Sequence, residues 1–179
     1  MLVNALWDLA RLKDDYSAAR TLFEEALKIC RELGNKQGVN CTLNNLGAVA
    51  FGQGDFEAAC RYYSEALGAA KESREKATLS YSLDGFAALC GKRGKSEIAA
   101  QLAGAAEYLR ESLGFEIEPA ERRFRNAYLT KLRSMLGEET IRPSISRRAA
   151  FKTGKSNRNR FVFRRAYKIR NSIVTLRVR

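Results

Sequence analysis

Apolar residues return every three or four positions along most of residues 1–136, the spacing that places one stripe of a helix against a core. Two such runs flank "GQGD" at 52–55. There a pair of glycines breaks the first helix, and Asp55 offers a side-chain oxygen to the orphan amides that open the second. The pattern predicts helices over about 37–51, 56–73 and 119–136. Small residues Gly47, Ala50, Ala59 and Ala66 stand where two backbones must approach closely, and Phe56 and Tyr63 are placed to fill the gaps between layers.

The pattern is periodic. A shift of 40 positions carries Tyr16 to Phe56, Leu6 to Leu46, Ala10 to Ala50, Ala19 to Ala59, Phe23 to Tyr63, Ala26 to Ala66 and Leu27 to Leu67. A second step carries Leu43 to Leu83, Gly54 to Gly94, Ala59 to Ala99 and Ala66 to Ala106. The third copy is weaker, because Tyr63 falls on Ala103 and Phe56 on Ser96. Each unit is two helices joined at a glycine hinge, which predicts an all-α solenoid of helix hairpins with a period of about 40 residues. The expected organisation is three repeats over 1–117 (about 1–34, 35–74 and 75–114), a closing helix within 118–139, and a basic tail over 140–179.

Leu43, the Leu46-Gly47 pair, Ala59, Tyr63 and Ala66 resemble the signature of the tetratricopeptide family, with Ala50 where that family usually has an aromatic. The period exceeds the family's usual 34 residues and resembles its longer-helix variant. Residues 99–139 are similar to the closing segment of C-terminal helical-repeat sensors in bacterial transcriptional regulators of the LuxR and winged-helix types, in which an ATPase domain and a DNA-binding domain precede the sensor. The resemblance implies a right-handed solenoid whose concave groove, lined by the first helix of each unit, holds a protein or peptide. It places Asn4, Asp8 and Arg11, then Asn44, Ala48 and Phe51, then Tyr81, Asp84 and Lys92 in that groove. Asn4, Asn44 and Asp84 are equivalent under the shift. They are expected to form one polar row, either bonding an extended peptide's backbone or simply solvated.

Composition narrows the chemistry. The 179 residues are 45% hydrophobic, enough for a packed domain. No apolar run reaches the roughly 18 residues of a membrane span, and acids follow the short apolar start, so a cytoplasmic protein is expected. Histidine is absent, which excludes Ser-His-Asp catalysis and His-based metal sites. Cys30, Cys41, Cys60 and Cys90 match no zinc or disulfide spacing and read as small buried thiols. "GKRGKS" at 91–96 and "FKTGKSN" at 151–157 lack the first glycine of a phosphate-binding loop, and Gly94 is the repeat's own hinge. No catalytic residue, metal or cofactor is expected, and the function expected is non-catalytic recognition.

The charge is concentrated at one end. Of 32 Lys and Arg, 13 lie in residues 140–179 with no acid among them, leaving 19 bases against all 20 acids in residues 1–139. One reading of this tail is an arm for nucleic acid. Arg158, Arg160, Arg164, Arg165 and Lys168 would neutralise phosphates, and Phe161 and Tyr167 would stack on bases. Another is a frameshifted terminus, since residues 140–161 can be back-translated so that the next frame reads like the helical ending of the sensor family. Met1 corresponds to Cys41 under the shift, inside the first helix of its unit. The leading helix is therefore expected to begin truncated, with an upstream domain or a partner covering Leu2, Leu6 and Leu9.

Overall fold

The computed structural model describes residues 16–73, 76–114, 116–117 and 119–136. They form six α-helices: α1 (Tyr16–Glu32), α2 (Lys36–Gly52), α3 (Phe56–Ser73), α4 (Lys76–Lys92), α5 (Ser96–Leu113) and α6 (Pro119–Leu136). Strands are absent among the described residues, and none of these helices is long and apolar enough to cross a membrane. The fold is an all-α helical-repeat solenoid. Each helix packs on the next from α1 to α5, α2 also touches α4, and α6 lies on both α4 and α5.

Local chemistry sets the helix ends. Gly34, Gly54, Gly94 and Gly114 all have positive φ, and each lies just past the end of a helix. After α2, Gly54 at φ 79° lets the Asp55 amide turn back to the Ala50 carbonyl at 2.9 Å, satisfying an oxygen that the helix leaves open. The same closure joins Lys95 to Cys90 at 2.9 Å after α4. Asn35 Oδ1 accepts from the Gly38 amide and Asp55 Oδ1 from the Ala58 amide, each at 2.9 Å. The equivalent of Asp55 in the next unit is Lys95, whose side chain makes no cap bond. Asp55→Ala is expected to lose about 1 kcal/mol of stability in urea denaturation, and Lys95→Asp to gain a similar amount.

Two clusters form the core. The smaller joins Ala19, Phe23 and Leu27 of α1 to Leu43, Leu46 and Val49 of α2 and Ala66 of α3, while the larger runs from Ala50 to Leu132. Small residues sit where the helices meet closely, as the sequence pattern predicts: Ala50, Ala59 and Ala66 are at most 1% exposed. Tyr63, also 1% exposed, is wedged between two glycines. A Cβ at Gly47 of α2 would stand 2.6 Å from the Tyr63 ring, and one at Gly85 of α4 would overlap the same ring. Helices α2 and α4 can therefore close on one tyrosine only because neither carries a side chain there.

One of the four cysteines is the buried thiol expected, and the other three are more open. Cys90 is buried, Cys30 and Cys60 are half-buried, and Cys41 is exposed, because it lies on the outward stripe of α2. Burial pushes the Cys90 thiol up to about 11, with Lys95 and Arg93 opposing it. Since the thiolate is the reactive form, a disulfide reagent at about pH 8 is expected to label Cys41 rapidly. Labelling of Cys90 is expected only on unfolding or as the pH approaches that range, and mass spectrometry of quenched peptides reads both.

Candidate functional site

Helices α2 and α4, the first helices of successive hairpins, touch one another, and a polar seam joins them. Asn40 is fully buried, and its amide lies 2.9 Å from the Thr78 hydroxyl. With its oxygen turned to Thr78, that oxygen also accepts from the Ala70 amide at 3.2 Å and the nitrogen donates to the Ala66 carbonyl at 2.9 Å, so both ends of the side-chain amide have partners. One turn further on, Asn44 donates to the Asn40 carbonyl at 3.0 Å and accepts from Ser82 Oγ at 2.9 Å. Buried amides and hydroxyls matched in this way fix the register of α2 against α4, because a slipped register would leave each of them unpaired.

Asp84 is the centre of a second network, reaching α5 and α6. Its Oδ2 pairs with Arg110 Nη1 at 2.6 Å, both side chains being 6% exposed. The Tyr128 hydroxyl donates to Oδ1, and Arg125 Nε lies 3.7 Å from the same oxygen. Glu107 Oε2 ties the two guanidiniums together, 3.1 Å from Arg110 Nη2 and 2.8 Å from Arg125 Nη2. Burial raises the Asp84 carboxyl above the usual range, with Arg110 and Arg125 pulling the other way. Burial, reinforced by Asp84, holds the Tyr128 phenol well above its ordinary value, so that hydroxyl remains a donor. Five polar side chains thus pin the final helix to the last hairpin.

Helix α6 covers part of the inner face. Phe124 meets Phe51 of α2 edge-on, ring centroids 5.6 Å apart at 81°, and Phe51 in turn lies 5.4 Å from Phe56. Beside α6 is a small half-open space of about 30 Å³ bounded by Asn44, Asn45, Tyr63, Tyr81, Asp84 and Phe124 among others. Beside it a larger pocket of about 240 Å³ opens between the C-terminal ends of α2 and α4 and the second half of α6. Phe51, Phe124, Tyr128 and Leu132 wall this pocket, and Lys92 and Lys131 stand on its rim. The Lys92 ammonium lies 5.9 Å from the Phe51 ring centroid and 5.8 Å from that of Phe56, within the range of a cation–π attraction.

The groove residues named from the sequence divide into three sets. Asn44 of α2 and Asp84 of α4 are both buried, and their polar atoms bond neighbouring helices. They are neither solvated nor open to an extended peptide, because α6 and the α2–α4 seam occupy their bonding capacity. Phe51, Tyr81 and Lys92 are half-buried or exposed along the edges left by α6. Asn4, Asp8 and Arg11 lie outside the described residues, as do Arg158, Arg160, Phe161, Arg164, Arg165, Tyr167 and Lys168 of the tail. Residues missed by the sequence reading are Phe124, Tyr128 and Lys131. The repeat shift could have found them, since it carries Asn44 through Asp84 to Phe124, Ala48 through Ala88 to Tyr128, and Phe51 through Gly91 to Lys131.

Residues 38–112 match the family model described as tetratricopeptide repeat, which supports the resemblance drawn from the repeat pattern. Such repeats generally mediate protein–protein interaction. No curated protein and no solved structure matches the chain.

Proposed function

We propose that this chain is a non-catalytic interaction module that holds a protein or peptide against the inner edge of its repeats, as the sensor or scaffold region of a bacterial signalling or transcriptional regulator. The observation that carries the reading is the tetratricopeptide match over 38–112, the segment that contains α2 to α5 almost entirely. The regulator context rests on the likeness of residues 99–139 to the closing segments of such sensors. Phe51, Tyr81 and Lys92 are the expected contacts, an aromatic and cationic combination of the kind that anchors interfaces. Asn44 and Asp84 act behind them by fixing α2, α4 and α6 in place.

Selection from a displayed random-peptide library on the immobilised full chain tests this. Peptides enriched on the wild type are expected to lose at least about tenfold in affinity for Phe51→Ala and Lys92→Glu. They should keep full affinity for Cys41→Ser on the outward stripe. Failure to enrich any peptide, or equal binding to all three variants, would remove the inner edge as the binding surface.

A further inference from the structure

From the pocket beside α6 we infer a second function, the binding of a small amphipathic carboxylate with its apolar tail between α2, α4 and α6 and its head between Lys92 and Lys131. The pocket shares Phe51 and Lys92 with the proposed partner surface, but it is read with a different ligand, so the two proposals hold or fail separately. Its walls are apolar: the rings of Phe51, Phe124 and Tyr128, the side chain of Leu132, and the small Ala88 and Gly91 that leave the space open. Among the described residues, the charged side chains lining it are the two lysines, with no carboxylate beside them. Tyr128 adds little polarity, because its hydroxyl is directed to Asp84. A concave apolar site with a few convergent polar groups is the usual form of a small-molecule site. Here the polar groups have one sign, so they select an anion and disfavour a cation.

Size and position restrict the occupant further. About 240 Å³ is below the range that encloses drug-sized ligands. It is also too small a volume to enclose a partner helix, whose diameter with side chains is about 10–12 Å. A short acyl chain or single aromatic ring fits. The cation–π contacts to Phe51 and Phe56 keep the Lys92 ammonium at the rim, so the head group meets a charge already held in position. Lys131 comes from α6 and Lys92 from α4, so a bound carboxylate would join the closing helix to the last hairpin by charge as well as by apolar contact.

Octanoate is the probe, added to the full chain and followed by isothermal titration calorimetry, with 1-octanol and octylamine as controls. One saturable site is expected, with octanoate at least about tenfold tighter than 1-octanol and octylamine weaker still. The double variant Lys92→Met/Lys131→Met is expected to bind octanoate at least about tenfold more weakly and 1-octanol unchanged. Ala127→Phe, which enters the pocket from an exposed position, should abolish binding of both. Circular dichroism and melting temperature check that each variant is folded, and two of these substitutions lie on exposed lysines. Absence of saturable octanoate binding would overturn the inference. So would equal affinity for octanoate and 1-octanol, or an octanoate affinity indifferent to the double variant. Tight binding of hexaglutamate in place of octanoate would assign the lysines to an acidic protein partner and overturn it as well.

Discussion

Asp84→Ala is expected to destabilise the folded chain by about 3–5 kcal/mol, the cost of leaving a buried charge without its partner. The charge in question is Arg110, whose side chain is 6% exposed, whose Nη1 faces the Asp84 carboxylate at 2.6 Å, and which would keep only the partly exposed Glu107 at 3.1 Å. The Tyr128 hydroxyl would lose its acceptor at the same time. Removing both charges has a different outcome, because a buried ion pair gains little over an apolar pair of similar volume once desolvation is counted. Asp84→Leu/Arg110→Met is therefore expected to recover most of the loss, with Arg125 and Glu107 still paired at 2.8 Å. Urea denaturation of the two variants measures the difference. Trypsin gives a local readout, since Arg122, Arg123 and Lys131 are exposed side chains on α6 whose backbone becomes cleavable when the helix loosens in Asp84→Ala. A loss below about 1 kcal/mol would mean that water reaches Arg110 and that the pair behaves as a surface pair does.

Tyr63→Ala is expected to cost about 3–5 kcal/mol, as truncation of a large buried ring does elsewhere. The ring fills the space between α2 and α4 and meets Phe86 at a centroid distance of 6.1 Å. Its hydroxyl is buried without a hydrogen-bond partner among the described residues. Tyr63→Phe should therefore be neutral or mildly stabilising, because it removes an unsatisfied oxygen and keeps the ring. The glycine partners give a second arm. Gly85→Ala removes a helix-weakening glycine, which favours it by about 1 kcal/mol. Overlap with a ring already pressed by Gly47 on its other side is expected to dominate, for a net loss of about 1–3 kcal/mol. In a Tyr63→Ala background the same substitution should change sign and stabilise. A double-mutant cycle that shows simple additivity would refute the wedge.

The sequence determined the helices and their repetition. Periodicity, hinge glycines and the Asp55 cap are local signals, and each acts within one or two helical turns. The helix expected over 56–73 spans Phe56–Ser73, and the one expected over about 37–51 extends one residue further at each end. The close approaches at Gly47, Ala59 and Ala66 were also legible, because a repeated small residue on an apolar stripe has a steric reason wherever the units stack. The tertiary structure alone decided what the inner face presents. In sequence Asn44 and Asp84 are polar residues at groove positions; in space Asn44 is bonded to Ser82 and Asp84 to Arg110 and Tyr128. Those partners lie 26 to 44 residues away, and no periodic rule specifies them. The orientation of α6 was settled in the same way. Its Phe124 and Tyr128 occupy positions that would line a groove in an ordinary repeat. They turn inward here because burying the Tyr128 ring, packing Phe124 on Phe51 and satisfying Asp84 outweigh leaving that face open to water.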